Sequence, residues 1–328
     1  MKVALVGCGA IGKKRVLALD AEDTLVGVAD TDAGRARECA QTRDDARVFD
    51  GWQEAAACAE VEAVIVSTTN DALAQVALAA AARGKHVLVE KPGARSAREL
   101  RGVIEAAQGT GAVVHVGFNH RCHPALLKAR EIVTAGEIGP LLFVRGRYGH
   151  GGRVGYDREW RADPRISGGG ELLDQGSHLI DLARWFLGDF PLVSGYAATM
   201  YWDMPVEDNA FLTLRTAASQ VAWLHVSCSE WKNMFSFEIY GRDGKLAVDG
   251  LGGSYGTERL SFYRMRPRMG PPETTIWEYP GADTSWRIEY QEFKRAVRDR
   301  TPPAVSLEDA CAVLQVIGDV YAQMGFSY

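Results

Sequence analysis

The sequence predicts an α/β chain in two parts, a doubly wound parallel sheet at the amino end and an α+β half after it. Three observations carry this. Short apolar runs alternate with helical patterns through the first third of the chain. The first run opens onto Gly7-Cys8-Gly9-Ala10-Ile11-Gly12, three glycines at the GxGxxG spacing between a strand and a helix. Beyond Val193 the pattern changes to strands joined by hairpin turns. A chain of 328 residues exceeds a small single core and divides into residues 1–120 and 121–328.

Lys2 to Val6 is nearly all apolar, as a strand buried on both faces should be. In the turn after it, Gly7 permits the tight bend, Gly9 lets a pyrophosphate approach the backbone, and Gly12 lets helix and strand pack closely. Lys13 to Leu19 reads as a helix whose N-terminal amides and dipole hold phosphate. Ala10 and Ile11 belong to that phosphate turn. Thr24 to Ala29 is the second strand, and it ends at Asp30, where an acid binds a ribose 2′-hydroxyl and repels a 2′-phosphate. NAD is therefore favoured over NADP, although Arg35 is close enough in sequence to meet a phosphate.

Helices at 33–42, 51–59, 72–83 and 96–108 alternate with strands at 48–49, 61–67, 86–89 and 113–117. Gly84 ends the third of these helices, and Ser96 with Glu99 reads as a capping box. Short β-α-β connections of this kind make a parallel sheet covered on both faces.

Composition narrows the partners. The chain is 47% apolar and 24% charged, with net charge −5 and no basic cluster, so no nucleic-acid partner is expected. No apolar run approaches the ~20 residues of a membrane span. Met1 leads directly into a strand, which leaves no room for a signal peptide. Six dispersed cysteines without a CxxC pair read as reduced thiols of a cytoplasmic protein. His120, Cys122 and His123 lack a second ligand cluster, so no metal is expected.

The second half starts with a helix at 125–135 and a strand from Leu141 to Tyr148. A polar and aromatic stretch follows, containing His150, Arg153, Tyr156, Trp160 and Arg161. Long loops of this kind are usually functional, and with Tyr148 these side chains suit a sugar, rings stacking on its face and polar tips reading hydroxyls. An oligomer contact is the other reading. Gly168-Gly169-Gly170 opens an amphipathic helix from Glu171 to Leu187, on which Asp174 and His178 stand at i and i+4. Strands at 209–214, 220–228, 234–240 and 245–248 follow, then helices at 285–298 and 307–324. Alternation of Phe235, Phe237 and Ile239 with Ser236, Glu238 and Tyr240 gives that sheet two unlike faces.

Gly7 to Gly12, Asp30, Glu90-Lys91-Pro92, Gly117-Phe118-Asn119-His120-Arg121, and Gly168 to Gly170 with Asp174 and His178 together resemble the Gfo/Idh/MocA oxidoreductases. The resemblance runs from Met1 to the final helix. It implies a Rossmann domain followed by a large, mostly antiparallel, open-faced sheet through which homodimers or homotetramers form. It places Thr68, Asn70, Glu90, Lys91 and Arg121 beside the cofactor, Arg121 having a structural ion pair as its alternative. Thr69 and Leu73 stand where many relatives carry Pro and His.

Oxidation of a carbinol needs a base for its proton, and a neutral imidazole suits this near pH 7. A lysine beside the reacting oxygen stabilises developing alkoxide. His178 is the expected base, Lys91 the cation and Asp174 the orienting carboxylate, roles the resemblance assigns to the same positions. Asp174 has two other readings, a cap on Ser177 or a partner for an arginine. The expected activity is NAD-dependent hydride transfer at a ring hydroxyl or ketone of a sugar, aminosugar or nucleotide sugar. An inositol or polyol dehydrogenase, or a non-catalytic dinucleotide-binding sensor, is the alternative.

Overall fold

The structure, a computed structural model, describes residues 1–43 and 46–326. The chain forms two compact units. The first contains 1–118, 165–168 and 286–314; the second contains 119–164, 169–285 and 315–328.

The first unit begins β1 (Lys2–Val6), α1 (Ala10–Leu17), β2 (Thr24–Ala29), α2 (Ala33–Gln41), β3 (Arg47–Val48) and α3 (Trp52–Ala57). It continues with β4 (Ala63–Val66), α4 (Asn70–Ala81), β5 (His86–Glu90), α5 (Ala97–Thr110) and β6 (Val114–Gly117). The six strands are parallel in the order β3-β2-β1-β4-β5-β6, which reverses direction between β1 and β4. Val3, Leu5, Ile65 and Leu88 are buried to within 1% of fully, as strands covered on both faces require.

Two local expectations need correction. Helix α1 starts at Ala10 rather than Lys13, because the Lys13 amide already closes a helical turn on the Gly9 carbonyl at 3.0 Å. The expected capping box does not form. The Glu99 carboxylate takes the N–H of Arg95 at 2.9 Å and also its guanidinium, one residue before Ser96.

Arg15, on α1, is fully buried and was not singled out by the sequence. Its Nε donates to Glu90 at the end of β5 at 2.6 Å, and its Nη1 donates to Glu289 at 2.6 Å. Glu289 lies on α9 (Ser285–Asp299). The guanidinium also stands 4.6 Å from the ring centroid of Trp286. Burial pushes the Glu90 carboxyl above its usual range, with Arg15 opposing. Burial acts the same way on Glu289, but Arg15 and His115 hold it below that range. Gly117 must be glycine here, since a Cβ would come within 2.7 Å of Arg15 Nη2.

The second unit contains α6 (Pro124–Thr134), β7 (Leu141–Gly149), a π-helical turn (Leu172–Gly176) and α8 (Ser177–Leu187). The short α7 (Pro164–Ser167) precedes the turn. Seven further strands follow: β8 (Leu192–Ala198), β9 (Asn209–Arg215), β10 (Val221–Ser227), β11 (Met234–Gly241), β12 (Gly244–Asp249), β13 (Glu258–Arg264) and β14 (Glu273–Tyr279). They join β7 in the order β14-β13-β12-β11-β7-β10-β9-β8, and only β7 and β10 run parallel. The last helix is α10 (Leu307–Met324).

One face of this sheet is apolar and buried, with Val144, Leu224, Phe237 and Ile239 each fully covered. Gly146 lets α8 come close, because a Cβ there would sit 3.3 Å from Leu179 and 3.1 Å from Leu224. The other face carries stacked Phe143 and Tyr240, stacked Phe211 and His225, and Trp223 at 43% exposure. Strands β13 and β14 were not read from the sequence. Most of β14 is exposed edge with little apolar alternation to mark it.

All six cysteines are free. Among the described residues no helix is long and apolar enough to cross a membrane, and no cluster of three metal-ligating side chains occurs.

Removing the guanidinium would leave two buried carboxylates without their cation, a loss of about 3–5 kcal/mol. Urea unfolding of Arg15→Ala should show this cost. A cost below about 1 kcal/mol, the scale of an exposed pair, would show that the triad does not hold the first unit together.

Candidate active site

The glycine turn divides its three residues by role. Gly7 has φ +96, and a Cβ on it would lie 2.5 Å from the Ser67 carbonyl oxygen; one on Gly12 would lie 2.0 Å from the Gly7 oxygen. These two glycines are demanded by the chain's own packing. Nothing lies within 4 Å of a Cβ built on Gly9. Its open face, at the start of α1 where Ala10, Ile11 and Gly12 present N–H groups with no intrahelical acceptor, is a cradle suited to a pyrophosphate. Ser67 Oγ holds the turn by donating to the Gly7 carbonyl at 2.7 Å.

Asp30 stands beside this turn. Its Oδ2 accepts the Cys8 N–H at 2.7 Å and its Oδ1 accepts the Asp32 N–H at 2.8 Å. Each oxygen retains a lone pair for a ribose hydroxyl. Arg35 Nη2 lies 3.6 Å from Asp30 and its Nε 3.4 Å from Asp32, so the cation is matched by two carboxylates. A nicotinamide dinucleotide fits these residues.

Of the neighbouring loop, Thr68 Oγ1 donates to the Thr69 carbonyl and Thr69 Oγ1 to Asp71. Asn70 is buried and donates to the Ser167 carbonyl at 2.8 Å. Leu73 is fully buried core. Lys91 is half-buried directly after β5. Its neighbour Glu90 is engaged by Arg15, a structural role the sequence reading did not foresee.

In the second unit Gly169 and Gly170 are explained by self-packing. A Cβ on Gly169 would sit 2.2 Å from the Tyr321 hydroxyl, and one on Gly170 would sit 2.0 Å from the Glu207 carbonyl. The buried Glu207 carboxylate accepts N–H groups of Gly170 and Leu172 and the Tyr321 hydroxyl. This anchors the π-helical turn that carries Asp174. Such turns often occur at functional sites.

Asp174 Oδ2 takes Arg161 Nε at 2.9 Å, and its backbone carbonyl takes the Ser177 hydroxyl at 3.0 Å. Burial would lower Arg161, but Asp174 beside it raises it above the ordinary arginine value. His178 is 5% exposed, and its ring lies face to face with His120 at 3.6 Å between centroids, planes 22° apart. Tyr148 meets both rings edge-on. Burial pushes the Tyr148 hydroxyl well above its ordinary value, which keeps it neutral.

The loop residues separate into two groups. His150 Nδ1 accepts the Gly152 N–H at 2.9 Å, which leaves its proton on Nε2, 3.7 Å from Glu171. Burial lowers His150 below its usual value. Tyr156 is buried and packs edge-on against His150. Trp160 lies under the Arg161 guanidinium at 4.5 Å. Arg153 points to solvent and pairs with Glu159. Arg121 forms a two-pronged pair with Asp181 at 2.8 and 2.5 Å, the structural alternative raised for it above.

A model of an oxidoreductase family's NAD-binding Rossmann fold, GFO/IDH/MocA, matches residues 1–118, and that family's C-terminal domain model matches 126–247. Levoglucosan dehydrogenase of Pseudarthrobacter phenanthrenivorans is 26% identical over 294 residues, 76% of this chain and 73% of that one. A solved structure of levoglucosan dehydrogenase with NADH has the same fold, with TM-score 0.89, 24% identity, and 99% and 97% of the two chains covered. Inositol 2-dehydrogenase 2 of Saccharopolyspora erythraea is 30% identical over 66% of this chain and 63% of its own. The structure of GenD2 from gentamicin A biosynthesis in complex with NAD matches at 25% identity and TM-score 0.84, covering 99% and 94% of the two chains.

The glycine geometry yields a sharp contrast. Gly9→Ala should melt near the wild-type temperature yet bind NAD at least about tenfold more weakly by calorimetry, since its methyl enters the cradle. Gly12→Ala should lose stability instead, because its methyl meets the Gly7 carbonyl. Unchanged NAD affinity in Gly9→Ala would place the pyrophosphate elsewhere.

Proposed function

Because the chain belongs to the GFO/IDH/MocA family of oxidoreductases, we propose that it is an NAD-dependent dehydrogenase or ketoreductase of sugars. Its substrate is a ring hydroxyl, or the matching ketone, of a sugar, aminosugar or nucleotide sugar. The observation that carries this is the second unit's buried His178 with Asp174 four residues before it.

The dinucleotide is held by the Gly7–Gly12 turn, the first amides of α1 and Asp30. When bound, it supplies the acceptor for a hydride. In the oxidising direction His178 takes the proton of the substrate hydroxyl, and the Lys91 ammonium holds the oxygen as negative charge develops on it. Asp174, fixed by Arg161, accepts hydrogen bonds from a neighbouring hydroxyl. His150, Tyr156 and Trp160 stack on or read the rest of the sugar. In the reducing direction the same groups return the proton.

The aromatic content of the 150–161 loop favours a substrate larger than a free polyol. GenD2, from gentamicin A biosynthesis, supports an aminosugar. The inositol dehydrogenase relative favours a second reading, oxidation of a cyclic polyol. The outer face of the eight-stranded sheet, with Trp223, Phe143 and Phe211, suits pairing with a second copy of the chain.

The test is the rate of nicotinamide reduction in variants. Lys91→Ala and His178→Ala should each lower kcat about 10²–10⁴-fold, the effect of removing an acid–base group or support of an oxyanion. Near-native rates in both would remove the assignment. Tight NAD binding without turnover on any sugar or polyol would favour the dinucleotide sensor.

A further inference from the structure

We propose that His120 is a positioning residue for the base, stacked on His178 so that the pair, neutral before the reaction, takes up one proton and resists a second. The inference deepens the reading above and rests on its assignment of His178 as proton acceptor.

The stack is built rather than incidental. His120, like His178, is 5% exposed, and the rings lie 3.6 Å apart between centroids. His120 Nδ1 lies 3.3 Å from Asn119 Oδ1. The Asn119 amide donates to Ser285 Oγ at 2.9 Å, and Ser285 Oγ donates to Asp283 Oδ1 at 2.6 Å. The direction of this chain follows from its end. Asp283 can only accept, so the single hydroxyl proton of Ser285 goes to it and the hydroxyl lone pair receives the Asn119 N–H. That leaves the Asn119 oxygen facing His120, which therefore carries its proton on Nδ1 as assigned by the network. Tyr148, Phe235 and His123 meet the His120 ring edge-on at 5.1, 5.8 and 5.6 Å, confining it to one plane.

Other charges around the stack are matched. His123 lies 2.9 Å from Glu258, Arg121 is paired with Asp181, and Asp174 with Arg161. Glu171 faces His150, and burial keeps Tyr148 and Tyr255 neutral. From β10 and β11 the buried face contributes apolar Leu224, Val226, Phe235 and Phe237.

A neutral imidazole face attracts an imidazolium, whereas two buried imidazoliums at this separation repel strongly. The first proton is stabilised and the second pushed to lower pH, as in any strongly coupled pair. In oxidation the substrate's C–H electron pair leaves as hydride to the nicotinamide, and its O–H pair becomes the second carbonyl bond. The released proton reaches His178, whose new charge lies against the neutral face of His120.

The test is an imidazole carbon–proton NMR titration of the full chain from about pH 5 to 9, the window in which histidine changes charge. Signals are assigned by their loss in His178→Gln and His120→Gln. Both rings should report the same two midpoints, separated by more than about 1 pH unit. In His120→Phe, which keeps a ring but cannot bind a proton, His178 should titrate in one step. Independent single midpoints for the two wild-type rings would overturn the proposal. An unchanged His178 titration in folded His120→Phe would overturn it too. Absence of turnover would instead refute the dehydrogenase reading and leave the titration standing.

Discussion

A guanidinium without access to water persists only where its charge is matched, and Arg15 meets that requirement with Glu90 and Glu289. The consequence is geometric. Arg15 lies one turn into the helix whose first amides form the proposed phosphate cradle. Glu90 is the residue before Lys91, at the carboxyl end of β5, where ligands bind in open parallel sheets. Glu289 brings in α9 from almost the far end of the chain. One ion triad therefore ties the helix after the glycine turn to the strand end that precedes Lys91. The close approach of Gly117 to Arg15 belongs to the same constraint.

The second unit solves a similar problem without an arginine at its centre. The buried Glu207 carboxylate accepts the backbone N–H groups that open the π-helical turn, with Tyr321 as a further donor. Burial raises Glu207 above its usual value, while these donors act to lower it. The turn then sets Asp174 against Arg161 and leads into α8, where His178 meets His120. In both units a buried carboxylate helps set where the proposed chemistry stands.

Much of this was legible because local rules agreed. The glycine spacing, the buried strands and Asp30 specify the first sheet at the level of residues, and the alternation from Phe235 to Tyr240 marks the faces of the second. Arg15 was not legible, because Lys13-Lys14-Arg15 reads as an exposed basic run and its partner Glu289 lies 274 positions away. Glu207 escapes a sequence reading for the same reason, since its partners Gly170, Leu172 and Tyr321 are distant in sequence. Gly168 to Gly170 stand out in the sequence, but only the fold shows that Arg95 crowds the first, Tyr321 the second and Glu207 the third. In the sequence His120 stands as part of the His120, Cys122 and His123 group, which lacks a second ligand cluster. Its stacking on His178 depends on the 310 turn Asn119–Cys122 and on α8, which no periodicity connects.

Catalysis by this fold reduces to one observable, transfer of hydride between a sugar and nicotinamide. The most direct measurement mixes the purified chain with NAD and, separately, NADP, each against free sugars, anhydrosugars, aminosugars, aminoglycosides, nucleotide sugars and inositols. Absorbance of reduced nicotinamide is followed. The account predicts a rise with NAD, weaker with NADP, for a sugar-type substrate. Silence with every alcohol, and with the matching ketones and NADH in reverse, would contradict it.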